Sequence, residues 1–283
     1  MQPDLGGGNE HVAQPFDRNA DCSPCKARLM TLQRLCHLAA NPDVKYTPGD
    51  STNKDLEQNV LATYNLLESM RVHRISKMVF ASTSAIYGVA EKLPIAEDAA
   101  PRPISLYGAT KLGCEGLCSA FANLFGMQCW IFRFANIVGP KVRKKGRTVI
   151  SDFIAKLSDN PRELEILGDG NQAKSYLSSR DCVDGILYGV AHAKKPLNVF
   201  NLGCDDFLPV KRIAEMVCEA LGLREVAFRY TGGEGGWPGD VPRFILDVRA
   251  INELGWKASQ NSEQAVAGAI EAILSGMEAP CRP

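Results

Sequence analysis

From residue 34 onward, short apolar runs alternate with segments whose apolar residues recur at helical spacing. The apolar runs 34–40, 77–81 and 128–134 predict strands. Between them, 54–70 and 105–125 predict amphipathic helices, because apolar side chains there fall three or four residues apart. Strand followed by helix, repeated, is typical of a parallel sheet whose strands are joined by crossover helices. The pattern therefore predicts an α/β fold.

The C-terminal half continues the alternation with shorter and more varied units. The predicted helices and strands of this half are helices 148–158, 180–193 and 209–221, a last helix from residue 262, and strands 163–167, 198–201 and 226–230. Residues 1–36 carry turn formers throughout and show neither helical nor strand periodicity. We predict no defined helix or strand in this segment.

Charge and hydropathy exclude several classes of protein. The 283 residues include 32 basic and 32 acidic side chains, and this zero balance argues against nucleic acid as the main partner. No apolar run approaches the roughly 18 residues needed to span a membrane, and the first residues show no secretory signal. We therefore expect a cytoplasmic protein whose ten cysteines are reduced thiols.

Tyr107 and Lys111 lie four residues apart at the start of the helix predicted over 105–125. Residues at this spacing stack on one helix face, so the phenol and the ammonium can face one site. A nearby cation favours the phenolate and lowers the pKa of the tyrosine, which yields a base usable near neutral pH. Most such pairs are solvated helix surface, so the spacing alone leaves both interpretations open.

The strand predicted over 77–81 leads directly into the hydroxyl residues Ser82, Thr83 and Ser84. A hydroxyl at the carboxyl end of a parallel strand lies where open α/β sheets bind ligands. This placement, upstream of Tyr107, favours the catalytic interpretation of the Tyr–Lys pair.

Several motifs in a fixed order give the chain its resemblance to a known family. They are HLAANPDV (37–44), the helix from Asn59 to Glu68, FASTSAIYG (80–88), YGATK (107–111), RFANIVGP (133–140), LGDGNQAKSY (167–176) and GWPGDV (236–241). Over about residues 36 to 275 the chain resembles the extended short-chain dehydrogenase/reductases, and among them the NAD-dependent epimerase/dehydratase family of the UDP-glucose 4-epimerase type.

The resemblance implies a Rossmann-like doubly wound parallel sheet, N-terminally truncated, with a smaller C-terminal α/β substrate region. It divides the chain into an irregular remnant of the nucleotide-binding start (1–36), a Rossmann-like core with the catalytic residues (37–140) and a mixed substrate-binding region (141–283), of which some segments return to the core. It also implies NAD as cofactor, a nucleotide sugar (UDP-sugar by default) as substrate, and a homodimer formed through helices 54–70 and 106–125.

The family pattern assigns roles residue by residue. Thr83 is implied as the catalytic hydroxyl, Tyr107 as the general base, and Lys111 as both the tuner of Tyr107 and a ligand of the nicotinamide ribose. The residues implied to contact the cofactor are Ala39, Ala40, Asn59, Ser82, Tyr107, Lys111 and Phe134. Those implied to contact the substrate are Thr83, Asn136, Lys174, Tyr176 and Asp240. No metal is implied.

The chemistry implied by the resemblance is transient oxidation, in which Tyr107 removes the proton of the sugar 4-hydroxyl while hydride passes from C4 to bound NAD and later returns to the other face. Dehydratases and decarboxylases of this kind carry a carboxylic acid directly after the threonine. Here Ser84 and Ala85 follow Thr83. The sequence therefore favours epimerisation over elimination.

Three features depart from the family pattern. No G-x-x-G-x-x-G turn lies between a first strand and a helix, where the family binds the pyrophosphate of NAD, and Gly6, Gly7 and Gly8 neither follow an apolar strand nor open an apolar helix. Trp237 stands where the bacterial-type enzyme has an arginine for the UDP phosphates. Lys174 stands where an arginine is common, although its point charge still suits phosphate.

The missing turn supports an alternative function. We expect that the chain lacks a β-α-β opening of roughly 30 residues and binds NAD weakly or not at all. The alternative is a catalytically degenerate or truncated family member acting as a non-catalytic binding protein, or the product of a misread gene.

Three further features have their own alternatives. Cys22, Cys25, Cys36 and His37 could ligate zinc, but neighbours in a strand point apart, which favours plain thiols. The basic run 141–147 favours a solvated loop, with phosphate contact as the alternative. The glycine-rich stretch 231–240 is followed by no helix, so it predicts a mobile loop beside the substrate, or a plain surface loop, and not a phosphate cradle.

Overall fold

The computed structural model describes residues 33–41, 49, 51–140, 148–237 and 240–278. Several sequence features lie outside the described residues, namely the segment 1–32 with Gly6 to Gly8, Cys22 and Cys25, the basic run 141–147, and Gly239.

The first long helix, α1, runs through an α-helical turn Asn53–Asp55, a π-helical stretch Leu56–Leu61 and an α-helix Ala62–Val72. The other helices are α2 (Leu106–Phe125), α3 (Val149–Asp159), α4 (Ser179–His192), α5 (Val210–Ala220), α6 (Arg249–Glu253) and α7 (Ser262–Glu278). The strands are β1 (Leu35–His37), β2 (Lys77–Thr83), β3 (Gln128–Phe134), β4 (Asn136–Val138), β5 (Glu163–Ile166), β6 (Ala173–Lys174), β7 (Tyr176–Ser178), β8 (Leu197–Leu202), β9 (Leu208–Pro209), β10 (Ala227–Tyr230) and β11 (Arg243–Phe244).

Four parallel strands form the central sheet in the order β1-β2-β3-β8. Alternate side chains of these strands are buried on opposite faces of the sheet. Phe80 and Ile131 pack with the residues of α1 and α2, whereas Trp130 and Phe132 pack with those of α4 and α6. A parallel sheet with helices on both faces must bury both faces, which is why β2 and β3 are almost continuously apolar. The predicted doubly wound α/β fold is therefore present.

A second apolar cluster lies among α3, α5 and α7. Its fully buried members on these helices include Ile150, Ile154, Ile213, Val217 and Val266. Small sheets surround it: β5 pairs with β10, β4 pairs with β7, and β6 lies between β9 and β11. Strand β4 follows β3 after a single residue and pairs with β7, so it joins the end of the central sheet to the second cluster.

Every helix and strand predicted from residue 54 onward is found, with bounds that agree within about two residues. The strand predicted over 34–40 is shorter, Leu35–His37. Five short strands were not predicted, because two or three residues are too few to show a period of two: β4, β6, β7, β9 and β11.

Among the described helices, none is long and apolar enough to cross a membrane. The seven cysteines that the structure describes are free thiols. Within the same residues there is no group of three or more His, Cys, Asp or Glu side chains arranged to hold a metal ion.

Candidate active site

The carboxyl end of β2 forms one wall of the site. Thr83 is the last residue of the strand, and its Oγ1 accepts a hydrogen bond from the Ala85 amide at 3.2 Å, which caps the 3₁₀ turn Ser84–Ile86. This cap turns the chain sharply away from the sheet. The Thr83 side chain is thereby left at the strand end, where parallel sheets bind ligands.

The first turn of α2 forms the facing wall. Ser105 caps the helix by accepting a hydrogen bond from the Gly108 amide at 3.1 Å. Tyr107 and Lys111 follow one turn apart on the helix face that meets β2. Gly108 lies between them and packs directly on the backbone of Ala85, so the helix start and the strand end are in close contact.

The Thr83 side chain lies close to that of Tyr107. Burial raises the pKa of Tyr107 above its usual value, the Thr83 side chain opposes this increase, and the carboxylate of Asp55 adds to it. The expectation that Lys111 lowers this pKa is wrong, because burial of the phenol dominates and the Lys111 ammonium donates to the Ala81 carbonyl. An added positive charge near the phenol is needed to favour the phenolate.

The ammonium of Lys111 is buried against β2. Lys111 is 3% exposed, its Nζ donates to the Ala81 carbonyl at 2.8 Å, and it lies 4.6 Å from the centre of the Phe80 ring. Burial lowers its pKa. This side chain therefore ties α2 to β2 and brings a positive charge under the site.

Thr83 and Tyr107 open into a cavity of about 1150 Å³. Of the residues predicted to bind cofactor or substrate, those that line it are Ser82, Thr83, Tyr107, Phe134, Asn136, Lys174, Tyr176 and Asp240. The volume exceeds the roughly 300–1,000 Å³ of a pocket for one drug-sized ligand. It is therefore large enough for two ligands to meet.

Four predicted residues do not line this cavity. Ala39 is exposed and Ala40 half-buried in the segment after β1. Asn59 is 2% exposed and braces the walls: its Nδ2 donates to Thr110 Oγ1 at 3.0 Å and its Oδ1 accepts from the Asn41 amide at 3.0 Å. Lys111 lies beneath the floor, as described above. Asn59 and Lys111 thus hold the site together from behind.

Asp55 is a cavity residue that sequence reasoning missed. Its carboxylate accepts a hydrogen bond from Asn41 Nδ2 at 2.8 Å and faces the same cavity as Tyr107. Asp55 lies four residues before Asn59, in the turn just ahead of the π-helical stretch of α1. That spacing was the available signal, because it predicts that both side chains share a face.

The opposite end of the cavity carries a charged pair. Lys174 Nζ lies 2.5 Å from Asp240 Oδ1 and 5.1 Å from the centre of the Trp237 ring, while Asp240 Oδ2 accepts from the Gly236 amide at 2.9 Å. Asp240 is held on both oxygens. This end presents a cation, an aromatic face and a fixed carboxylate.

Asn136 and Tyr176 lie between the two ends, in the paired strands β4 and β7. The two residues are directly opposite each other in the ladder, and burial raises the pKa of Tyr176, which keeps its phenol protonated. They therefore form a neutral polar wall.

A doubly wound sheet with a hydroxyl at the end of β2 and a Tyr–Lys pair one turn apart on α2 is the arrangement of the short-chain dehydrogenase/reductase class that the motifs resemble. Residues 27–203 match the model of the NAD dependent epimerase/dehydratase family. The chain belongs to this family, and the family resemblance predicted from the motifs is confirmed.

Individual relatives agree with the family. The chain is 30% identical over 243 residues to a putative UDP-glucose 4-epimerase of Methanocaldococcus jannaschii, a match covering 85% of this chain and 77% of the relative. It is similar to a crystal structure of UDP-galactose 4-epimerase, with a TM-score of 0.77, 37% identity and coverage of 87% of this chain and 79% of the other. The structure of MoeE5 in complex with UDP-glucose and NAD gives a TM-score of 0.79 at 30% identity, covering 89% and 83%. These likenesses confirm the Rossmann-like fold and place NAD as the cofactor of the family.

Proposed function

We propose that this chain is an NAD-dependent UDP-sugar 4-epimerase that inverts the C4 hydroxyl of its substrate. The observation that carries the proposal is that Thr83 and Tyr107 lie close together and both open into the large cavity at the end of β2. Ser84 and Ala85 follow Thr83, so the position that would need a carboxylic acid for elimination has none. The epimerase relatives at 30–37% identity support the same reaction.

Tyr107 is the proposed base. Its hydroxyl lies against Thr83 in a buried setting that favours the neutral phenol. Once deprotonated, the phenolate takes the proton of the sugar 4-hydroxyl, while Thr83 orients that hydroxyl by hydrogen bonding. The same two groups return the proton when the C4–H bond re-forms.

Bound NAD would supply an acceptor and donor for the hydride of C4, and a positive charge that would favour the Tyr107 phenolate. The Asp55 carboxylate, which faces the cavity with Tyr107, would offer an acceptor to a hydroxyl of the nicotinamide ribose, while Lys111 and Asn59 hold the walls of the site from behind. Among the described residues no glycine-rich turn links a strand to a helix start. The fit therefore covers the nicotinamide half of the cofactor.

Lys174, Trp237 and Asp240 are proposed to bind the nucleotide end of the substrate. Lys174 supplies a point charge for the diphosphate, and Asp240 has acceptor oxygens for ribose hydroxyls. Because Lys174 already contacts Asp240 at 2.5 Å, the incoming diphosphate must share or replace that partner. Asn136 and Tyr176 would then face the sugar from the neutral wall.

The test is conversion of UDP-galactose to UDP-glucose by the full chain with saturating NAD, followed by NMR in D₂O. We expect the 4-epimer to form without deuterium at C4, because the hydride returns from the cofactor and not from solvent. A parallel set of UDP-, GDP- and dTDP-sugars identifies the nucleotide. Binding of NAD and nucleotide sugar with no turnover of any of them would contradict the epimerase proposal and support a non-catalytic binding protein.

We also propose that the chain forms a homodimer through α1 and α2. Large apolar side chains on the outer surface of these helices remain solvent-accessible, namely Leu56, Leu61, Tyr64, Leu124 and Phe125. An exposed apolar face of this kind commonly marks a protein interface. Sedimentation equilibrium is expected to give twice the 30.8 kDa chain mass, and Leu124→Lys should shift it to the monomer; a monomer for the unchanged chain would contradict the proposal.

A further inference from the structure

Glu115 and Arg133 form a buried ion pair beneath the site. Glu115 is 6% and Arg133 8% exposed. Arg133 Nη2 lies 2.8 Å from Glu115 Oε2, and Arg133 Nε lies 3.1 Å from Glu115 Oε1, so the guanidinium binds the carboxylate through two parallel hydrogen bonds. This two-point contact fixes both distance and angle between α2 and β3.

Glu115 lies one helical turn beyond Lys111, which itself lies one turn beyond Tyr107. These three side chains meet three consecutive residues of β2: Tyr107 lies close to the Thr83 side chain, Glu115 accepts from the Ser82 hydroxyl, and Lys111 donates to the Ala81 carbonyl. The first turns of α2 therefore contact β2 at three consecutive residues of the strand. Ser82 was predicted to contact the cofactor. The residue lines the cavity, but its hydroxyl donates to Glu115.

Arg133 extends the contact to the rest of the sheet. Its Nη1 donates to the Tyr87 hydroxyl at 2.7 Å and to the Glu97 carbonyl at 2.7 Å, and the Tyr87 hydroxyl donates to Asn201 Oδ1 on β8 at 2.8 Å. These hydrogen bonds connect Glu115 to strands β2, β3 and β8. The position of Glu115 is therefore fixed relative to the central sheet.

We propose that Glu115 is a positioning residue for the reaction, which sets the register of α2 on β2 so that the Tyr107 hydroxyl meets Thr83. The expected effect of Glu115 on catalysis rests on the proposed function. A buried ion pair adds little net stability compared with apolar residues of similar size, and specifying register is its best-attested use. One residue of helix register shifts a side chain by about 1.5 Å along the axis, and a misplacement of about 1 Å can cost about 100-fold in rate.

Glu115 also affects the charge of Lys111. Four titratable groups act on or respond to the Lys111 ammonium: the carboxylate of Glu115 and the thiols of Cys114 and Cys118 raise its pKa, and the charge of Lys111 lowers the pKa of His37, which packs against the Phe80 ring. Removing the Glu115 carboxylate therefore lowers the pKa of Lys111, and a reaction that needs the ammonium fails at a lower pH.

The decisive variant replaces both partners, Glu115→Met together with Arg133→Met, because an apolar pair avoids a single buried charge and keeps the protein folded. The single variant Glu115→Gln and a core control remote from the site, Ile213→Val on α5, are measured beside it. For the double variant we expect a kcat about 100-fold lower, an unchanged KM for the nucleotide sugar, and an alkaline limb of the pH–kcat profile displaced to lower pH. Ile213→Val should retain kcat and both limbs.

Hydrogen–deuterium exchange gives a readout that does not depend on turnover. In the double variant the amides of 106–115 should exchange at least tenfold faster relative to those of α5, and in Ile213→Val they should not. If the unchanged chain proves inactive, the proposed function fails while exchange still decides whether Glu115 holds α2. A folded double variant with full kcat, an unshifted pH profile and unchanged exchange would overturn the inference.

Discussion

A Cβ atom placed on Gly108 would stand 2.5 Å from the carbonyl oxygen of Ala85, closer than any side chain tolerates. This contact brings the first turn of α2 onto the 3₁₀ turn that follows β2. Because Tyr107 precedes Gly108 and Thr83 lies two residues before Ala85, the close approach of two backbones lets the two hydroxyl groups meet.

Substitution of Gly108 tests this contact. Gly108→Ala is expected to push α2 away from Ala85, lower the free energy of unfolding by about 1–3 kcal/mol through overpacking, and lower kcat. The matched control is Gly116→Ala on the same helix, where nothing lies within 4 Å of the added Cβ; it should gain up to about 1 kcal/mol and keep kcat. Urea unfolding and initial rates measure both. Equal behaviour of the two variants would contradict the proposed role of the contact.

Removal of one hydroxyl tests the base. Tyr107→Phe is expected to lower kcat by about 100- to 10,000-fold, because the proton acceptor is lost, while calorimetry should find nucleotide-sugar binding largely intact. Tyr188→Phe is the control, since the Tyr188 hydroxyl donates only to the Leu254 carbonyl on another part of the fold. A Tyr107→Phe variant with full activity would exclude Tyr107 as the base.

Removal of the Asp55 charge is expected to shift the pH dependence of kcat/KM in a direction that follows from the structure. Its negative charge raises the pKa of Tyr107, so Asp55→Asn, which keeps a hydrogen-bond acceptor for Asn41, should lower that pKa. The phenolate then forms at lower pH, and the acid limb of the kcat/KM profile moves to lower pH. Glu57→Gln on the exposed side of α1 removes the same charge without facing the cavity and should leave the limb in place. A shift to higher pH, or equal shifts in both variants, would refute the assignment.

Substitution of Lys174 is expected to weaken binding of the nucleotide sugar. Lys174→Met removes the cation proposed for the diphosphate, and a charged hydrogen bond contributes about 1.5–3 kcal/mol. KM for the nucleotide sugar should therefore rise roughly 10- to 100-fold with little change in kcat. Steady-state kinetics of Lys174→Met beside Lys257→Met, which removes an exposed cation elsewhere, measures this difference. If the two variants share one KM, Lys174 does not bind the diphosphate.

The local part of the site could be predicted from the sequence with good accuracy. Tyr107 and Lys111 were expected on one helix face because their spacing equals one turn, and Thr83 was expected at a strand end because an apolar run leads into it. Both expectations depend on residues that lie within about ten positions of each other, and the periodicity of apolar residues indicates structure over that range. The short strands β4 and β7, which place Asn136 beside Tyr176, left no such trace.

The sequence by itself therefore determined the α/β class, the central strands and the main catalytic candidates. Only the tertiary structure decided how these groups act. It set Lys174 against Asp240, 66 residues away, and Glu115 against Arg133, and it placed Asp55 in the cavity with Tyr107. It also reversed the expected direction of the Tyr107 pKa, because the pKa of a phenol depends on its burial and on the charges around it. Both are fixed by packing between distant segments, which no local pattern records.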